Sequence, residues 1–212
     1  MTKISLKPQA IIFDFDGVIL DSMTVKSNAF AELFSAHPQW AIDSIVSYHI
    51  ENGGMSRRQK IEYFFSQIIK EKAPCELSQL EAKFGYCVLK TLQDPKFVIK
   101  DCSDFIQNTY PFLPLFVASA APEDEVIELL KHHGLFNYFK AIGGSPRLKS
   151  DIINDFLVRF NLDSKSCVLI GDSINDLKAA EKSGIHFWGY NNEDLKGKCR
   201  YLSSLMALEY ND

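Results

Sequence analysis

Two kinds of hydrophobic pattern alternate along this chain. Short, continuous apolar runs occupy 10–15, 115–119, 141–144, 167–172 and 185–189, as in "AIIFDF" and "CVLIGD". Between most of them, apolar residues recur every three or four positions, as in "PEDEVIELLKHHG" and "KSDIINDFLVRFN". An unbroken apolar run suits a strand covered on both faces, and strand–helix alternation suits a parallel sheet. The pattern predicts an α/β core: a parallel sheet with helices on both faces. One connection is different. From about Met23 to about Asp101 only helical periodicity occurs, in "MTVKSNAFAELFSAH", "SRRQKIEYFFSQIIKEK" and "ELSQLEAKFGYCVLKTLQ". The expected division is a core of residues 1–22 and 101–212, interrupted after its first strand by a helical unit, 23–100.

Composition narrows the class. At 212 residues, with 46% hydrophobic and 24% charged residues, the chain can bury one sizeable core or a core plus a smaller module. A net charge of -4 without a basic run argues against nucleic acid as a partner, because phosphate-backbone binding needs clustered Lys and Arg. The five cysteines are scattered and form no C-x-x-C pair, which predicts reduced thiols packed as small hydrophobes. The start "MTKISLKPQA" lacks an apolar leader, and no stretch reaches the roughly 18 apolar residues of a membrane span. The expectation is a soluble, cytoplasmic protein with no membrane partner. Nothing in the sequence specifies an oligomeric state.

The chemistry gathers where strands end. Asp14 and Asp16 close the first run in "FDFDG", and Asp172 closes the fourth in "CVLIGDS". In an open parallel sheet, ligands bind at the carboxyl ends of the strands. If these two strands lie close together, three carboxylates converge on one edge. Two such charges about 5 Å apart repel by roughly 3 kcal/mol at an effective dielectric of about 20. That cost calls for a cation, and hard oxygen donors favour magnesium. "FVASAAPEDE" ends a strand at Ser119 and opens a helix with Pro122 and an acidic first turn. Ser119 and nearby backbone amides, with Ala120 and Gly17 as candidates, are suited to phosphate oxygens, although a serine there also serves to start a helix. Lys149, just before another helix, places a cation where it offsets a carboxylate and a phosphoryl group together.

The ordered set D-x-D-G at 14–17, Ser119, Lys149 and G-D-S-x-x-D at 171–176 resembles the haloacid dehalogenase superfamily, in its magnesium-dependent phosphatase branch. The helical insert is similar to the cap domain of the phosphoglycolate phosphatase and β-phosphoglucomutase groups, and the resemblance implies a Rossmann-like core. It also implies roles. Asp14 would attack phosphorus and carry an aspartyl-phosphate. Asp16 would protonate the departing oxygen and later take a proton from water. The carboxylates of Asp14 and Asp172, with the backbone carbonyl of Asp16, would hold Mg2+. Ser119 would bind the phosphoryl group and Lys149 would neutralise it. Asp176 is either a further acidic group of the site or part of a capping box with Ser173, and Asp21 reads as a helix-entry residue. The lysine motif departs from the family pattern: alignment without gaps places Arg147 at the cation position. Lys149 is preferred, because an ammonium approaches both partners more closely than arginine's planar fork.

Within the insert, "GGMSRRQKIEYFF" predicts a helix capped by Ser56 and Gln59, with Arg57 and Arg58 on its first turn. The segment 54–57 is similar to the substrate-contacting cap loop of β-phosphoglucomutase relatives. Arg57 therefore either meets the substrate or is a solvated surface residue. Ile61, Tyr63, Phe64 and Phe65 read as core. The expected function is hydrolysis of a small phosphorylated metabolite, a sugar or short acid phosphate. The alternatives are a phosphosugar mutase sharing every core residue, a non-catalytic phospho-acceptor, and an inactive interaction protein.

Overall fold

The computed structural model describes residues 8–208. In chain order the elements are β1 Ala10–Phe13, α1 Met23–Leu33, α2 Gln39–Glu51, α3 Arg57–Tyr63, α4 Leu77–Leu92, α5 Lys100–Thr109 and β2 Leu115–Pro122. They continue with α6 Glu123–His132, β3 Phe139–Ser145, α7 Lys149–Arg159, β4 Cys167–Gly171, α8 Ile174–Ser183, β5 His186–Tyr190 and β6 Arg200–Leu202. The strands form one sheet in the order β3-β2-β1-β4-β5-β6, and every pairing is parallel. This is the doubly wound order, whose direction of winding reverses between β1 and β4.

Side-chain alternation along the strands explains why both faces are covered. Ile11 and Phe13 of β1 join Val117, Val168 and Ile170 on one face, under α5 and α6 through Phe105, Ile106, Val126 and Leu130. Ala10 and Ile12 join Phe116, Ala118 and Leu169 on the other, under α7 and α8 through Ile153, Phe156 and Ala180. A strand apolar at every position is thus buried twice, as the continuous runs require.

The five expected strands are present, with shifted ends. Two of those shifts matter. β1 stops at Phe13 and β4 at Gly171, so Asp14 and Asp172 lie just past the ladder rather than inside it. β6 is an addition; a three-residue edge strand reading "RYL" has no apolar run to announce it. Helix α6 begins at Glu123 with Pro122 as its N-cap, not its first turn, so Ser119 sits inside β2 rather than at the helix start.

Helices α1 to α4 pack on one another through Phe30, Phe34, Ile45, Ile61, Phe64, Phe84 and Val88. Each fully buried Phe there contributes about 1.5–3 kcal/mol. The expected long helix over "SRRQKIEYFFSQIIKEK" breaks instead into α3 and a π-helical turn, Phe64–Ile68. Phe64 and Phe65 are both buried within this turn. Phe64 stacks on Phe34 at 3.7 Å between ring centroids, while Phe65 meets the same ring edge-on at 5.8 Å. The chain enters and leaves this helical unit along two adjacent segments. Leu20 bridges Val98, and the Ile99 N–H donates to the Ile19 carbonyl at 3.0 Å. No helix among the described residues is long and apolar enough to cross a membrane.

Candidate active site

The winding reversal places the ends of β1 and β4 side by side, and the acidic residues meet there. The Asp14 N–H donates to the Ile170 carbonyl at 2.8 Å, continuing the ladder one residue past β1. The next amide, of Phe15, donates to Asp14 Oδ1 at 2.7 Å and fixes the carboxylate's direction. One carboxylate oxygen from each of Asp14, Asp172 and Asp176 lies within 4.8 Å of the others. Lys149, at the start of α7, reaches Asp14 Oδ1 at 2.8 Å and also contacts Asp176 Oδ1. Arg147 instead lies partly exposed beside Asp155 at 3.4 Å, away from Asp14. Of the two candidate cations, Lys149 is the one beside the acidic cluster.

Asp176 serves both purposes that the sequence left open. It closes a capping box with Ser173 at the start of α8, accepting from the Ser173 N–H at 3.1 Å and hydroxyl at 2.7 Å. Its other oxygen holds Lys149. Asp21 lies exposed at the entry to α1, immediately before Ser22 at the N-cap position. Ser22 in turn makes no cap; its hydroxyl donates to Asp16 Oδ1 at 2.6 Å, and Lys26 of α1 pairs with Asp16 Oδ2.

Three carboxylates against one ammonium leave a formal excess of two negative charges in a buried place. Burial, then the neighbouring Asp176 charge, pushes the Asp14 carboxyl up to about 7, against the pull of Lys149. Burial, Asp176 and Asp14 raise Asp172 well above the usual carboxylate range. Burial opposes the charge on Lys149, but Asp14 and Asp176 outweigh it and hold the ammonium above its ordinary value. Asp16 is different. Burial acts to raise it, but Lys26 and Ser22 prevail, so it lies below the usual range and stays ionised. An all-oxygen donor set with surplus negative charge fits a hard divalent cation such as Mg2+.

Gly17 makes this convergence possible. Its φ is +72°, and a Cβ there would stand 2.0 Å from Asp172 Oδ2. Its N–H is spent on the Leu20 carbonyl at 2.8 Å, so in this arrangement it supplies room rather than a donor. Ser119 is fully buried, and its hydroxyl accepts from the Ala121 N–H at 3.0 Å. Ala120 and Ala121 line the cavity wall.

The cavity over the carboxylates has a volume of about 40 Å³, and its far side belongs to the helical unit: Met23, Lys26, Phe30, His49, Met55, Arg57, Lys60 and Phe84. Arg57 lies over the Phe84 ring at 5.0 Å. It donates to the Glu81 carbonyl at 3.1 Å and pairs with Glu125 of α6. It is therefore a buried link between inserted helices and sheet domain, not a solvated surface residue; Arg58 is the exposed one of the two. The capping box of Ser56 and Gln59 is formed, and Ile61, Phe64 and Phe65 are buried.

Sequence reasoning missed several participants. Asn191 and Asn192, past β5, donate to the carbonyls of Gly17 at 2.9 Å and Asp172 at 2.7 Å, tying the two acidic loops together. Adjacent asparagines at a strand end were the available signal, though turns use the same residues. Lys26, His49 and Lys60 gave a clearer one: each is a polar residue on the apolar face of a helix.

Residues 11–190 match the model of the haloacid dehalogenase-like hydrolase family. The chain belongs to that family. A phosphoglycolate phosphatase of Aliivibrio fischeri is 26% identical over 198 residues, covering 86% of this chain and 85% of that one. A phosphoglycolate phosphatase of Synechococcus elongatus is 26% identical over 204 residues, with 87% and 86% covered. The β-phosphoglucomutase of Clostridium difficile shares the fold, with a TM-score of 0.77, 17% identity, and 96% and 94% of the two chains covered. Within its family the chain groups with the phosphoric monoester hydrolases.

Proposed function

We propose that this protein is a magnesium-dependent phosphatase that hydrolyses a small phosphorylated metabolite through an aspartyl-phosphate on Asp14. The observation that carries this reading is the meeting of Asp14, Asp172 and Asp176 with Lys149 at the reversal point of the sheet. Mg2+ bound by Asp14, Asp172 and the Asp16 carbonyl would supply charge neutralisation for the transferring phosphoryl group.

The chain's own residues do the rest. The carboxylate of Asp14, aimed by the Phe15 amide, attacks phosphorus, and the bond to the departing oxygen breaks. Lys149 favours the ionised form of Asp14 against the effect of burial and stays beside the new ester. Asp16, next along the chain from the same turn, protonates the departing oxygen and then takes the proton of the water that hydrolyses the intermediate. In the arrangement seen, Lys26 keeps Asp16 ionised, which is the state needed for the second step; the first step requires it to take up a proton. Ser119 and the backbone at Ala120 face the phosphoryl oxygens from β2.

The test is turnover of p-nitrophenyl phosphate with Mg2+, by wild type and Asp14→Asn. The expected result is phosphate release by wild type and its loss by a factor of at least about 10³ in the variant, which keeps the wild-type circular dichroism. Substantial activity in the folded variant overturns the assignment of Asp14. With a hexose 1-phosphate, the expected product is free phosphate; formation of the 6-phosphate establishes the mutase instead.

A further inference from the structure

We infer that Asn191 and Asn192 are positioning residues for the cation site: their amides clamp the loops that carry Asp14 and Asp172, and so set how tightly the site takes Mg2+. This rests on the phosphatase reading above. The two loops have reason to part. Asp14, Asp172 and Asp176 bring carboxylate oxygens within 4.8 Å of one another, and like charges at such distances repel. Lys149 answers the charges of Asp14 and Asp176, but among the described residues Asp172 has no ion pair of its own. The loops also meet without slack, since a Cβ on Gly17 would stand 2.0 Å from Asp172 Oδ2. The place of the Asp172 carboxylate therefore depends on its backbone, and the asparagines hold that backbone. Asn192 Nδ2 donates to the Asp172 carbonyl at 2.7 Å, and Asn191 Nδ2 donates to the Gly17 carbonyl at 2.9 Å. The ends of β1, β4 and β5 are thus joined across the sheet edge.

The clamp is itself anchored. Successive side chains of an extended strand point to opposite sides. Just past β5, Asn191 takes a φ of +56°, a left-handed turn that asparagine tolerates, and both amides reach the acidic loops. The amide of Asn192 is engaged at both ends. Its Oδ1 accepts from the Asp194 N–H at 3.1 Å and caps a 3-10 turn, Glu193–Leu195, while its Nδ2 serves Asp172. Leu195, at the end of that turn, is fully buried. Gly189 of β5 leaves the space for it, because a Cβ there would stand 3.1 Å from the Leu195 Cβ. Asn192 is therefore held by the core, and Asn191 is the more exposed of the two. Groups that fix the ligands of a metal without touching it commonly govern its affinity.

The experiment is titration calorimetry of Mg2+ into wild type, Asn192→Ser and Asn191→Gly, with melts of each protein without metal. Asn192→Ser keeps an oxygen able to cap the 3-10 turn and is too short to reach the Asp172 carbonyl. Asn191→Gly keeps the left-handed backbone and removes only the amide. The expected result is a Kd for Mg2+ raised about 10–100-fold in Asn192→Ser and about tenfold in Asn191→Gly. The metal-free Tm is expected to fall by no more than about 2–4 °C, while the rise in Tm on adding Mg2+ shrinks in both variants. A wild-type Kd in both variants overturns the proposal. A lowered metal-free Tm with an unchanged Kd overturns it as well, leaving the asparagines as structural ties alone. Failure of the phosphatase reading looks different: wild type then takes up no Mg2+ and releases no phosphate from p-nitrophenyl phosphate, and the clamp falls with it.

Discussion

Gly17→Ala tests the geometry on which the acidic cluster depends. Two costs follow from the structure. The backbone at φ +72° is left-handed, which disfavours alanine by about 1–2 kcal/mol. Part of this, about 0.4–1 kcal/mol, is returned by the lower entropy of the unfolded chain. A net loss of about 1 kcal/mol corresponds to a fall of about 2–4 °C in Tm for a chain of this size. The second cost is local. The new methyl would stand 2.0 Å from Asp172 Oδ2 and 2.7 Å from its Cγ, whereas ordinary contact begins at 3.4 Å. The carboxylate must retreat by about 1.4 Å, and a displacement of about 1 Å at a reacting centre can cost about 100-fold in rate. The assay is the initial rate of p-nitrophenyl phosphate hydrolysis against Mg2+ concentration, with thermal melts alongside. The expected result is a half-saturating Mg2+ concentration raised by about 10–100-fold, with only the small Tm change. An unchanged Mg2+ response in a folded Gly17→Ala enzyme would refute the placement of Asp172 at the metal.

Two further outcomes follow from the helical side of the cavity. Arg57→Ala is expected to lower kcat/KM for the metabolite substrate at least about tenfold more than for p-nitrophenyl phosphate, and to cost about 1–3 kcal/mol by leaving half-buried Glu125 unpaired. Equal losses on the two substrates assign Arg57 to the link with α6 alone. The second concerns acid stability. His49 titrates near 3 in the fold, below its ordinary 6.5, so the unfolded chain binds a proton first as pH falls. Its contribution to stability is complete above pH 6.5 and is lost between 6.5 and about 3, at about 1.4 kcal/mol per pH unit. Asp14, raised to about 7, titrates in the opposite sense over part of that window, so the comparison must be with His49→Gln. The variant is expected to gain on wild type as pH drops from 6.5 to 4.5; parallel melting curves would contradict a buried neutral imidazole.

Much of the fold and site is legible in the amino-acid sequence. A run such as "AIIF" is apolar at every position because helices cover both faces of the sheet, and that is a local property of the chain. The acidic residues were legible for the complementary reason: carboxylates just past a buried strand have no stabilising role there, so their presence marks chemistry. The capping box of Ser56 and Gln59 was legible because both partners lie within one turn of helix. The break at Phe64 was not, since the partner against which Phe64 and Phe65 pack, Phe34, belongs to another helix. The short edge strand β6 was not, since its partner β5 supplies most of what makes it a strand.

The sequence by itself determined five of the six strands, most of the helices, their order, and the identity of the acidic residues, all of which depend on neighbours within a few positions. The tertiary structure decided who meets whom. It placed Lys149 rather than Arg147 beside Asp14, gave Asp176 two tasks, turned Arg57 toward Glu125, and brought Lys60 and His49 to the cavity. Those outcomes turn on electrostatics and burial between residues far apart in the chain. Charge interactions in a poorly polarisable interior are strong and depend on separation, so they take effect only once the fold has removed the groups from water and set the distances.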